Sequence, residues 1–184
     1  MTVTAQPPMP DEPSEDVPSA PDMSIDAEAL LLCALLWMNE GTATTRFIVE
    51  YLDPKDFYNP AYGRLFAIIA EHLSEGGLVH PATIAGRISQ SGTTQPWPGR
   101  GYQMFIADIV HLNARPEQAH WYAEQVLATS YRRQFHRMAE VLVHTAEHAP
   151  EDALFETLLK HGRSQRAAWK RRTDFAISIR GIDK

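Results

Sequence analysis

The chain lacks most of what marks common functional classes. It holds one cysteine, Cys33, in 184 residues, so an internal disulfide is excluded and a reducing compartment is favoured. Cys33 sits inside the apolar run Leu30 to Trp37 and reads as a small buried hydrophobe. No Lys or Arg precedes Arg46, whereas a secretory signal needs a basic start. The longest apolar stretch, Ala29 to Met38, is about half of a membrane span. A cytoplasmic protein with no membrane partner is predicted. No G-x-x-x-x-G-K-[ST] loop occurs anywhere, so these residues cannot cradle a triphosphate by the mechanism that motif supplies. There is no G-x-S-x-G elbow, and Cys33 has no base near it in sequence to activate it as a nucleophile. No catalytic residue, cofactor or metal is predicted.

What is present is ordinary in amount and uneven in placement. Hydrophobic residues make up 44% and charged residues 22%, as in a typical globular protein. The length suits one domain with an appendage. The net charge is −6, yet residues 160–184 hold eight Lys or Arg and two Asp, which leaves −12 on the rest. An acidic body repels nucleic acid, while the basic end attracts it or an acidic protein surface.

The pattern of apolar residues and breakers predicts an all-α fold. Residues 1–23 carry six prolines and five acids, too little apolar surface to offset ordering entropy, and read as a disordered leader. Residues 24–115 read as a globular helical bundle, opening with Ser24 as N-cap and a central helix that is apolar nearly all round. Asn59–Pro60 reads as a cap and first helical residue. Tyr62, Leu65, Phe66, Ile69 and Leu73 then recur at helical spacing until Gly76–Gly77. Residues 116–172 read as a helical hairpin, because the pattern from Pro116 runs without Gly or Pro to Ala149 and resumes after Pro150. In residues 173–184 Phe175, Ile177 and Ile179 alternate, and are read as a basic and apolar tail able to dock on a partner's edge or groove.

One motif suggests catalysis. His144–Thr145–Ala146–Glu147–His148 matches H-x-x-E-H, which places both imidazoles on one helical face with Glu147 beside them. It falls near the end of a long helix, where a solvated face is the stronger reading, and no third ligand is assigned.

Between Asp26 and Arg137 the order of signposts resembles the N-terminal domain of DnaB-type replicative helicases. Asp26–Ala27–Glu28 followed by Leu31, Leu32, Leu35 and Leu36 is similar to that family's opening helix. Asp56–Phe57–Tyr58, then Pro60, Leu65–Phe66, Ile69 and Leu73, is similar to its most distinctive segment. Gly77, Val79, Thr83–Ile84 and Ile88, then Gly101–Tyr102, resemble the next pieces, and Tyr122–Ala123, Val126 and Arg133 the start of its long hairpin helix. Tyr62 stands where the family usually has histidine and His80 where it usually has an acid. The family's ATPase domain would need roughly 200 further residues, so a stand-alone, non-enzymatic relative is expected.

The resemblance implies a collar role in DNA replication: hairpins pair into dimers, dimers close into a ring, and the collar docks a replicative helicase, primase or loader. Tyr131, Phe135, Met138 and Leu142 form a heptad-like seam, with Leu154, Leu158 and Leu159 opposite, and are expected to mediate self-association. The alternative is a small DNA-binding accessory protein whose basic end, Arg163, Arg166, Trp169, Lys170, Arg171 and Arg172, makes weak contacts to phosphates and bases.

Overall fold

A computed structural model describes residues 26–38, 42–92, 97 and 101–182. The leader and Ser24 lie outside the described residues, as does most of the loop at 91–101. All regular structure among the described residues is helical: α1 (Ala27–Trp37), α2 (Ala43–Tyr51), α3 (Pro60–Ser74), α4 (Pro81–Gln90), α5 (Tyr102–Val110), α6 (Ala119–His148) and α7 (Glu151–Ile182), with short 3₁₀ turns at Pro54–Asp56 and Pro116–Gln118.

Asp26 caps α1, its carboxylate accepting the Glu28 amide at 2.9 Å, which satisfies one of the orphan donors of the first turn. From there α1 runs through the centre of the body. Ala29 and every residue from Leu31 to Leu36 are fully buried, consistent with an apolar surface that extends all round. Cys33 is among them; its sulfur accepts from the Ala114 amide at 3.4 Å, and burial pushes its thiol pKa up.

Breakers set the boundaries of the surrounding helices. Asn59 caps α3 ahead of Pro60, and His80 caps α4 ahead of Pro81, because proline at the first helical position gives up a donor that would have no partner. Asn113 adopts a left-handed φ of 52°, a region that asparagine tolerates, and turns the chain from α5 toward α6. Gly63 allows α3 to meet the Pro54–Asp56 turn closely: a Cβ at this position would stand 2.5 Å from the Pro54 carbonyl oxygen.

The hairpin has two unlike halves. On α6 the buried residues end at Ser130, and no residue from Tyr131 to Asp174 is buried. Burial resumes at Phe175 and Ile179. Phe175 stacks on Phe47 of α2 at 5.3 Å and meets Tyr51 at 5.8 Å. The expected separate tail from residue 173 is therefore corrected, since α7 continues through it to Ile182. An i, i+2, i+4 alternation also contains an i, i+4 pair, and the helix uses that pair, Phe175 and Ile179, to grip the body. Ile177 points to solvent.

Candidate functional site

The hairpin is held to the body by a buried polar network that gathers several of the sequence signposts. Asp53 and Asp56 form a capping box around the 3₁₀ turn, which aims the Asp56 carboxylate inward. One Asp56 oxygen accepts the Asp53 amide at 2.8 Å. The other accepts Ser130 Oγ of α6 and Arg171 Nη2 of α7, each at 2.6 Å. Beside it, Glu28 accepts the amides of Tyr58 and Asn59 at 2.6 and 3.2 Å. Arg133 of α6 spans the two acids, with Nη1 3.4 Å from Glu28 and Nη2 donating to the Asp56 carbonyl oxygen.

Satisfied lone pairs make two carboxylates tolerable at this depth. Burial pushes the Glu28 carboxyl above the usual carboxylate range, against the pull of the two backbone amides. Burial also pushes the Tyr62 phenol up to about 12, with Asp26 and Glu28 adding to the effect. Every acid in the network already accepts from donors of its own chain, so its chemistry is that of a clamp: one guanidinium from each hairpin helix reaches a carboxylate of the body.

Above the clamp the hairpin presents apolar side chains to solvent. Phe135, Val141 and Val143 on α6, and Phe155, Leu158 and Trp169 on α7, are all exposed. Of the residues expected to mediate self-association, Phe135 and Leu158 stand on this surface. Tyr131, Met138, Leu142, Leu154 and Leu159 are half-buried along the two helices; Met138 shares a small cleft with His161, Ser164 and Gln165 of α7. Pairing α6 with α7 takes up part of the heptad-like seam and leaves these six apolar side chains exposed.

The basic segment divides in the same way. Arg163, Arg166, Trp169, Lys170 and Arg172 are exposed, and Lys170 lies 4.0 Å from Asp174. Arg171 is withdrawn into the clamp. His144 and His148 stack at 4.5 Å with Glu147 3.9 Å from His148, all three on the solvated face of α6. Among the described residues no group of three His, Cys, Asp or Glu is placed to hold a metal, and no helix is long and apolar enough to cross a membrane.

Sequence reasoning missed Ser130 and the inward turn of Arg171. Ser130 carries a weak signal, a lone hydroxyl on the otherwise apolar face of Ala123, Val126 and Leu127. For Arg171 the sequence holds none, because its partner lies 115 positions away.

Residues 20–128 match the family described as DnaB-like helicase N terminal domain. No curated protein matches the chain. Among solved structures, the crystal structure of the N-terminal domain of DnaB helicase from Mycobacterium tuberculosis is similar with a TM-score of 0.63 and 19% sequence identity. That likeness covers 77% of this chain and 95% of the other, and at such identity it speaks for the fold. The family match includes Glu28 and Asp56 and stops short of Ser130, Arg133 and α7.

Proposed function

The chain belongs to the DnaB-like helicase N-terminal domain family, and from that premise we propose that residues 24–184 act as a non-catalytic collar module of DNA replication. The module self-associates through its hairpin and docks a replicative helicase, primase or loader. The observation that carries this reading is the run of unburied residues from Tyr131 to Asp174, bearing six large exposed apolar side chains. A helical pair that leaves six large apolar side chains in water is stabilised when a second copy covers some of them. The clamp then fixes the angle at which each hairpin leaves its body, and with it the geometry of any closed assembly.

Absence of a phosphate loop from the sequence supports a binding role for these residues. The exposed Trp169 among Arg166, Lys170 and Arg172 favours, as a second reading, weak contacts to DNA through the basic end. That reading loses Arg171 to the clamp, and the separate reading of residues 173–184 as a partner-docking tail loses Phe175 and Ile179 to the core.

Sedimentation equilibrium of the wild type and of a Phe155→Asp, Leu158→Asp double variant tests the proposal. Both positions are solvent-exposed, so the variant should keep the helicity of the wild type but sediment as a monomer, while the wild type sediments as an assembly. A wild type already monomeric at its highest soluble concentration defeats the self-association reading.

A further inference from the structure

Two consecutive arginine pairs straddle the hairpin, Arg132–Arg133 on α6 and Arg171–Arg172 on α7. The inner members, Arg133 and Arg171, are held by the acids of the clamp. The outer members, Arg132 and Arg172, line an open groove of about 520 Å³ with Ala128, Thr129, Tyr131 and Phe135. Neither outer guanidinium makes an ion pair among the described residues. Arg172 lies 5.9 Å over the Tyr131 ring, and the rings of Tyr131 and Phe135 are 6.4 Å apart. The groove thus offers two cations and two aromatic faces, and none of its lining residues is a carboxylate.

Thr129 also lines a second cleft, of about 760 Å³, whose wall includes Asp26. Asp26, the first described residue, thus lines a cleft that has Thr129 in common with the groove. The segment before it, residues 1–25, has the complementary chemistry: six prolines, five carboxylates and no Lys or Arg. Pro7, Pro10 and Pro13 fall three residues apart, the spacing that puts prolines on one face of a polyproline II helix. Extended prolines are recognised by aromatic-lined grooves, and carboxylates pair with guanidinium groups.

We propose that residues 7–16 of the chain's own leader dock in this groove. The prolines rest on Tyr131 and Phe135, and Asp11, Glu12, Glu15 and Asp16 face Arg132 and Arg172. The ten residues between Asp16 and Asp26 span roughly 31 Å when extended at ~3.1 Å per residue, and Thr129 is common to the Asp26 cleft and the groove. Each exposed ion pair is weak, but a tether of this length holds the leader at an effective concentration on the order of millimolar. Docking in cis needs no second copy; it covers Phe135, one of the six exposed apolar side chains of the hairpin, and leaves Val141, Val143, Phe155, Leu158 and Trp169 to self-association.

The test uses the full chain with a nitroxide on Ser14→Cys; Cys33 is fully buried and stays unlabelled. At low salt the amide signals of Thr129, Arg132, Phe135 and Arg172 should lose most of their intensity, while those of α4 keep theirs. The loss should vanish in about 1 M salt, where the Debye length is roughly 3 Å. It should vanish equally in Arg132→Glu, Arg172→Glu and in a leader variant, Asp11→Asn, Glu12→Gln, Glu15→Gln, Asp16→Asn, which leaves the folded body untouched. Loss spread evenly over the surface, or persisting in both variants, overturns the proposal. So does loss transferred to an isotope-labelled, nitroxide-free copy in a mixed sample, which would assign the groove to another copy's leader. Groove signals that respond to an oligothymidylate but never to the leader would assign it to nucleic acid and likewise overturn the inference.

Discussion

Arg171 Nη2 lies 2.6 Å from the Asp56 carboxylate, so a residue far along the second hairpin helix is tied to a turn near the start of the body. The two ends of this contact differ in solvation: the Asp56 side chain is 1% exposed and that of Arg171 31%. Removing the acid strands a guanidinium that can turn to water. Removing the base leaves a buried carboxylate that retains Ser130 and the Asp53 amide.

Asp56→Ala should therefore cost about 3 kcal/mol, the lower end for breaking a buried pair, because it strips the capping box, Ser130 and Arg171 together. Arg171→Ala should cost about 1 kcal/mol. Urea denaturation of the two single variants and the double variant checks this. Equal costs, or full additivity in the double, would show that the pair does not act as a clamp.

Gly63→Ala should destabilise the body although alanine is the better helix former. The new Cβ would meet backbone, the Pro54 carbonyl oxygen, which cannot swing aside as a side-chain tip does. Overpacking of this kind costs about 1–3 kcal/mol, and the displaced turn carries Asp56 with it. Thermal melts of Gly63→Ala alone and in an Arg171→Ala background should show the two losses overlapping.

The pH dependence centres on Glu28. Its folded pKa is raised, chiefly by burial, so the folded state binds more protons than the unfolded state just above the ordinary value of 4.5. Stability from this group is thus fully present at lower pH and is lost as pH rises through the raised pKa. Glu28→Gln removes that slope. Chemical denaturation from pH 4 to 7 should show the wild type losing stability relative to the variant as pH increases; a parallel pair of curves would contradict the assignment.

Local features were legible in the sequence and long-range ones were not. Asn59–Pro60 and Pro81 mark helix starts because capping and a missing amide act within one turn. The α1 core follows from apolar residues on every side. The 116–149 and post-150 patterns disclosed a hairpin, since only a breaker at Ala149–Pro150 interrupts them. The clamp stayed hidden: pairing Glu28 with Arg133 and Asp56 with Arg171 depends on how the hairpin returns to the body, which no periodicity encodes. The seam at Tyr131, Phe135, Met138 and Leu142 was visible as apolar surface, but its division between α7 and solvent depends on the crossing of two helices.

The tail residues supply the sharpest contrast, because two periodicities compete in three side chains. In a strand Phe175, Ile177 and Ile179 share one face; in α7 Phe175 packs on Phe47 and Tyr51 of α2 and Ile179 is buried, while Ile177 is 65% exposed. Phe175→Ala should cost about 3–5 kcal/mol, as for a large aromatic lost from a core, since it leaves a cavity beside Phe47 and Tyr51. Ile177→Ser should lie within about 0.5 kcal/mol of the wild type. Loss of Phe175 should also free the C-terminal part of α7 from α2, so amide exchange should accelerate from residue 171 onward while α1 stays protected. If Ile177→Ser proves as damaging as Phe175→Ala, the helical register of this segment is wrong and an extended docking tail becomes the better description.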